Sequence, residues 1–251
     1  MCFSDDARPP LPPISGGAAN DTELELVSAD GTRFAAYTAR AQSPTGAGIV
    51  ILPDVRGLHS FYRELAVRFA EAGLDAIAFD YFGRSAGIGP RDEGFEYRPH
   101  VEKTRPETIA ADVRACIDYL RSPDGGGVES VFSVGFCFGG ANSWRQGADQ
   151  PDLAGVIGFY GVPARVQDAI DRIHAPVLML VAGQDFSPVE VFQQMERQLS
   201  EKGVEVEMHV YERAPHSFFD RAYEQFAPEC EDAWRRMLDF TSRHAHASSP
   251  A

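Results

Sequence analysis

Five short, almost continuously apolar runs constrain this chain more than any other feature: "GIVILPD", "LDAIAFDYF", "SVFSVGF", "LAGVIGFYG" and "PVLMLVAG". Runs of this length suit strands buried on both faces, and such strands belong to parallel sheets covered by helices. The segments between them carry helical spacing. "FYRELAVRFAEAG" repeats Phe61, Leu65 and Phe69 at every fourth position and stops at Gly73. "TRPETIAADVRACIDYLRS" offers Thr104 and Glu107 as a capping box, Pro106 in the first turn, and a stripe of Ile109, Val113, Cys116 and Leu120. "PVEVFQQMERQLSEKG" is a helix closed by Gly203, "VEVEMHVYE" is a last strand, and residues 224–244 hold a final amphipathic helix. At the front, "TELELVS" and "RFAAYTA" flank the turn signal "ADG". This alternation predicts an α/β fold, a mostly parallel sheet with helices on both faces and an antiparallel N-terminal hairpin. The expected boundaries are a Pro-, Gly- and Ser-rich arm over 1–21, one domain over 22–244 and a tail over 245–251.

One of the five runs ends in an unusual way. "SVFSVGF" leads into Cys137 and then "FGGANSWRQGA", so a thiol sits where a strand turns at once into a helix, between Gly135 and the pair Gly139 and Gly140. That is the chemistry of a nucleophile elbow: small flanks let strand and helix approach, and the helix N-terminus favours negative charge at the bend. The bland reading, a buried structural cysteine, fits Cys116 and Cys230, which lie within helical patterns. A rival elbow, "GRSAG", carries Ser85, but "AGIGP" follows it and two glycines and a proline oppose a helix. We expect a long loop there and assign Ser85 no role as nucleophile.

An elbow of this kind is followed in the chain by an acid and then a histidine, each at the C-terminal edge of a later strand. "PVLMLVAGQD" puts Asp185 at such an edge, and "VEVEMHVYERAPHSF" puts His216 at the next. Asp185 has a second reading as the N-cap of the helix near Pro188. The other histidines fit less well: His209 lies inside a strand, His174 precedes one, and His59 and His100 come before the elbow, His59 at the expected mouth of the site. His244 and His246 form an H-x-H pair with no third ligand nearby in sequence, so no metal is expected. Cys137 would attack a carbonyl carbon, His216 would protonate the leaving group and Asp185 would orient the imidazole. The oxyanion would be held by the backbone N–H groups of Phe138 and Val55.

Bulk properties exclude other classes. A net charge of −14 repels nucleic acid and anionic membranes, so neither is an expected partner. No apolar run approaches the roughly 20 residues of a membrane span, and no signal peptide is visible. The four cysteines, Cys2 among them, are scattered and unpaired in spacing, which suggests a reduced, cytoplasmic chain.

"GFCFGG", "AGQD" and "PHSF", in this order, resemble the dienelactone hydrolases, the cysteine branch of the α/β-hydrolase fold; the likeness spans roughly residues 22–242. The resemblance implies Cys137, Asp185 and His216 as the triad, opening of a small, often carboxylated lactone or enol ester through a thioester, and no cofactor. It also implies an acid that contacts the resting thiol, here Asp54 in "LPDVRG", where characterised members carry glutamate. Two arginines would hold a substrate carboxylate. Arg84 matches the first; the second falls near Asp220 and Arg221, with Arg56 as a substitute. The expected partner is a small-molecule ester or lactone, and the expected assembly a monomer or small homo-oligomer. Three alternatives stay open: a broader carboxylesterase or thioesterase on the same triad, a non-catalytic ligand-binding homologue, and a thiol redox sensor built on Cys137.

Overall fold

A computed structural model describes residues 7–13 and 16–245. Eight strands form one sheet: β1 (Ala18–Val27), β2 (Arg33–Ala41), β3 (Ala47–Leu52), β4 (Asp75–Phe79), β5 (Ser130–Phe136), β6 (Gly155–Phe159), β7 (Val177–Gln184) and β8 (Val206–Pro215). Their spatial order is β1-β2-β4-β3-β5-β6-β7-β8. β2 runs antiparallel to both β1 and β4, and every other pairing is parallel. The expected hairpin and parallel sheet are therefore both present.

Among the described residues, seven α-helices accompany the strands: α1 (Ser60–Glu71), α2 (Gly83–Ala86), α3 (Arg98–Val101), α4 (Pro106–Arg121), α5 (Phe138–Asp149), α6 (Val189–Glu201) and α7 (Ala227–His244). α1 and α7 cover one face with Phe61, Leu65, Phe69, Trp234 and Met237. α4, α5 and α6 cover the other with Val113, Ile117, Trp144, Phe192 and Leu199. β3 shows why its run has no polar member. Ile49 and Ile51 point into the first core and Val50 and Leu52 into the second, so both strand faces are dry. Each such side chain contributes about 1.5–3 kcal/mol by leaving water. None of the helices among the described residues is long and apolar enough to cross a membrane.

Three local expectations are corrected. β1 begins at Ala18 rather than at 22, because the chain is already paired to Ala41 there; ahead of it, the Pro10 carbonyl accepts from the Trp234 indole at 3.1 Å. α4 is capped one residue later than its sequence suggests. Arg105 is the N-cap and its N–H donates to Thr108 Oγ1, while the Thr104 hydroxyl turns back to the Val101 carbonyl. The stretch after β4 is not all loop: Ser85 lies within α2, and its hydroxyl meets His100 Nδ1 at 3.0 Å.

The topology positions the site. β4 lies on one side of β3 and β5 on the other. The chain thus reverses its direction of travel across the sheet there, which opens a crevice beyond the C-terminal ends of β3 and β5. Cys137 follows β5 and Asp54 and Val55 follow β3, so both reach that crevice.

Candidate active site

Cys137 adopts φ 55° and ψ −112°, between the last residue of β5 and the first of α5. Left-handed backbone is costly for a residue with a Cβ and persists where the surroundings impose it. The surroundings here are three glycines. A Cβ on Gly135 would lie 1.9 Å from the Gly139 carbonyl oxygen, and one on Gly140 would lie 2.4 Å from that of Phe159. One on Gly139 would meet the carbonyl oxygens of Leu52 and Pro53 at 2.0 and 2.3 Å. The elbow is pressed onto the end of β3, which carries the Val55 loop beside the first turn of α5. Among the described residues, no backbone carbonyl engages the N–H of Val55 or Phe138. The thiol is half-buried rather than sealed in packing.

Asp185 and His216 meet because β7 and β8 change register near their ends. Ala182 pairs with Tyr211, but Gln184 pairs with Pro215. Gly183 makes this shift feasible, since a Cβ there would lie 2.5 Å from the Glu212 carbonyl. The next residue on each strand is then a triad candidate. His216 Nδ1 lies 2.8 and 3.0 Å from the two Asp185 carboxylate oxygens. Asp185 also accepts the Phe186 N–H at 2.6 Å; it does not cap α6, whose N-cap is Pro188. Burial pulls the His216 imidazolium down, but hydrogen bonds to Asp185 and Cys137 and their charges outweigh it and lift the pKa to about 10.

Other expected residues have partners of their own. Asp54 is fully buried, and its Oδ1 accepts the Arg56 N–H at 2.9 Å. The buried Arg56 guanidinium approaches that same oxygen at 3.8 Å. Arg84 is drawn into a different network: Asp30 and Asp112 at 2.7 Å each, and Ser28 at 2.9 Å. Its three partners belong to the β1–β2 turn and α4, outside the triad. Arg221 is exposed. Cys116 and Cys230 are buried in their helices. His59 is buried and caps α1 through Nδ1. His244 does have acidic neighbours, Glu205 and Glu207, brought to it by β8 and the turn before it; Arg243 pairs with both glutamates, and His246 lies outside the described residues.

Several neighbours of Cys137 and His216 were not visible in sequence. Tyr81 donates to the Pro53 carbonyl at 2.7 Å. Burial first, then the charges of Asp54, Asp80 and Cys137, push its phenol far up, so it stays protonated beside the sulfur. Tyr160, just past β6, packs its ring 4.9 Å from that of His216, and the 86% exposed Phe186 ring lies 5.0 Å from it. Their one sequence signal was position at a strand's C-terminal edge, the same signal that found Asp185. A hollow of about 500 Å³ lies elsewhere, over Leu24, Arg63 and Pro90, and contains no triad group.

The profile of the dienelactone hydrolase family matches residues 34–245. The chain belongs to that family. Similar proteins include the carboxymethylenebutenolidase of Rhodococcus opacus, 29% identical over 268 aligned positions that cover 99% of each chain. A dienelactone hydrolase-like promiscuous phosphotriesterase from metagenomic libraries superposes with a TM-score of 0.72 at 23% identity, covering 91% of this chain and 99% of that one. An esterase of Pyrococcus furiosus gives 0.68 at 16% identity, covering 93% and 99%. At such identities these two structures show a shared α/β-hydrolase fold. Within this dienelactone hydrolase family member, the strand–thiol–helix bend, the strand-edge acid and the strand-edge histidine follow the C-terminal ends of β5, β7 and β8.

Proposed function

We propose that this dienelactone hydrolase family member hydrolyses small carboxylic esters or lactones through Cys137, His216 and Asp185. The observation that carries this reading is the His216 imidazole bonded through Nδ1 to Asp185, with Cys137 at the strand–helix bend among the groups that raise its pKa. His216 carries the proton the reaction needs, and thiolate is the reactive form of sulfur. Sγ attacks the carbonyl carbon, and the oxyanion is received by the Phe138 and Val55 N–H groups. The tetrahedral species collapses, the C–O bond to the leaving group breaks, and His216 gives its proton to the departing oxygen. In a lactone that oxygen stays tethered to the acyl group. His216 then takes a proton from water, which attacks the thioester; thiolate leaves and the imidazolium is restored. Every step uses the chain's own groups. We assign Asp54 the role of an acid that acts on the resting thiol from the loop after β3.

The substrate's acyl part is the open choice between a carboxylated lactone, in keeping with the name of the Rhodococcus relative, and neutral esters. The engagement of Arg84 by Asp30 and Asp112 favours the broader, neutral class, and the exposed Phe186 ring supports an apolar acyl or leaving group. The test is hydrolysis of p-nitrophenyl acetate beside cis- and trans-dienelactone. Cys137→Ala abolishes turnover of whichever substrates react, while Ser85→Ala keeps most of it. Unchanged turnover in Cys137→Ala removes the thiol from the mechanism.

A further inference from the structure

We propose that Tyr160 and Asp220 are positioning residues for the triad: the Tyr160 ring is held between the His216 imidazole and the buried Asp220 carboxylate, and so sets the plane and charge of His216. The inference rests on the triad reading above. Among the described residues, three other than glycine have left-handed backbone: Cys137, Ser217 beside His216, and Tyr160 at φ 37°. Two of these belong to the reacting pair or its neighbour. The third is a bulky aromatic, for which this conformation is a costly outlier that only firm packing sustains. That packing is visible. Tyr160 N–H donates to the Leu180 carbonyl at 3.0 Å, and a Cβ on the next residue, Gly161, would lie 2.4 Å from Ala141 N in the first turn of α5. The Tyr160 ring is buried and also packs on Phe218 at 5.6 Å.

The ring's polar end explains the arrangement. The Tyr160 hydroxyl donates to Asp220 Oδ2 at 3.1 Å, and Asp220 Oδ1 accepts the Arg221 N–H. Asp220 itself is 1% exposed. The groups facing it are Asp54 from the β3–α1 loop, Tyr160 after β6, His216 and the Arg221 amide from the β8–α7 connection, and Cys230 from α7. Burial raises the Asp220 pKa most and Asp54 adds to it. The Arg221 N–H, the Tyr160 hydroxyl and His216 hold it down, and the balance is about 7. Asp220 therefore changes charge near neutrality while it is coupled to His216, which titrates higher. Its ionised form favours the imidazolium; its neutral form withdraws that support.

The experiment compares wild type, Tyr160→Phe and Asp220→Asn in two readouts. One is the pH profile of kcat and KM with p-nitrophenyl acetate from pH 5 to 11. The other is the titration of the His216 imidazole by nitrogen NMR, which needs no turnover. In wild type, kcat rises through an inflection near pH 7. Tyr160→Phe keeps the ring but loses the hydroxyl, so kcat falls about five- to tenfold with KM nearly unchanged, as expected for one lost hydrogen bond. The inflection moves to higher pH, because the bond that stabilised the Asp220 carboxylate is gone. Asp220→Asn removes the inflection and lowers the His216 titration point. An unchanged profile and an unchanged His216 titration in Tyr160→Phe overturn the proposal, even should Asp220→Asn fail to fold. Loss of the hydrolytic reading would appear separately, as wild type that does not turn over while its His216 titration still responds to the variants.

Discussion

Cys137 and His216 divide between them what a side chain can contribute here, one held by backbone geometry and the other by charge. The His216 value of about 10 sits above its ordinary 6.5, so folding favours the imidazolium. That contribution to stability is complete below pH 6.5 and is lost as the pH rises through about 10. Activity follows the same proton. With a non-ionising ester, kcat/KM is expected to decline on the alkaline side near pH 10, where the leaving group loses its acid; a decline centred near 6.5 would contradict the Asp185 and Cys137 pairing. Phe186→Ala is expected to raise KM for esters with apolar leaving groups about three- to tenfold, with little change for acetate esters of small alcohols, since the ring offers only contact area. The pairing of Asp185 with His216 was legible in sequence because both obey a rule of order and strand edge. The partners of the arginines were not: a long side chain's choice among Asp30, Asp112 and a substrate is decided by tertiary distance, which spacing does not encode. Nor did spacing show that an acid, Asp220, faces His216 from the following turn.

The elements hold these residues in place, and the glycines are how they do it. Gly139→Ala would drive a methyl into the carbonyl oxygens of Leu52 and Pro53. The expected cost is about 3 kcal/mol or more, seen as a melting temperature lower by roughly 6–12 °C. Activity should fall further than stability alone explains, since the Val55 and Phe138 N–H groups would part; a variant with unaltered melting and kinetics would show that the elbow is looser than described. The strand runs and helical stripes read correctly because burial on a face imposes a period. Boundaries read less well. α4 starts after Arg105 rather than Thr104, since the Val101 carbonyl claims the Thr104 hydroxyl while Thr108 Oγ1 accepts the Arg105 N–H. The β7–β8 register shift left only Gly183 as its trace.

At the scale of the whole molecule, the antiparallel hairpin is tied to the parallel sheet by charge as well as by strand pairing. Arg84 joins the β1–β2 turn, through Asp30 and Ser28, to the buried Asp112 of α4. Arg84→Ala leaves the buried Asp112 without its cation, and a loss of about 1–3 kcal/mol is expected by chemical denaturation. Its effect on KM should be equal for carboxylated and neutral esters; a selective rise for carboxylated lactones would return Arg84 to substrate binding. The fold class was legible because alternation of apolar runs and amphipathic segments admits few architectures. The N-terminal segment was not, since its contact with Trp234 joins the two ends of the chain and leaves no local signature. The central claim is a covalent thioester on Cys137, and mass spectrometry of protein quenched in acid during turnover of p-nitrophenyl acetate tests it most directly. An acetyl group on the peptide containing Cys137, absent from Cys137→Ala, is the predicted result. Turnover with no acyl adduct, or with the adduct on Ser85, would contradict it.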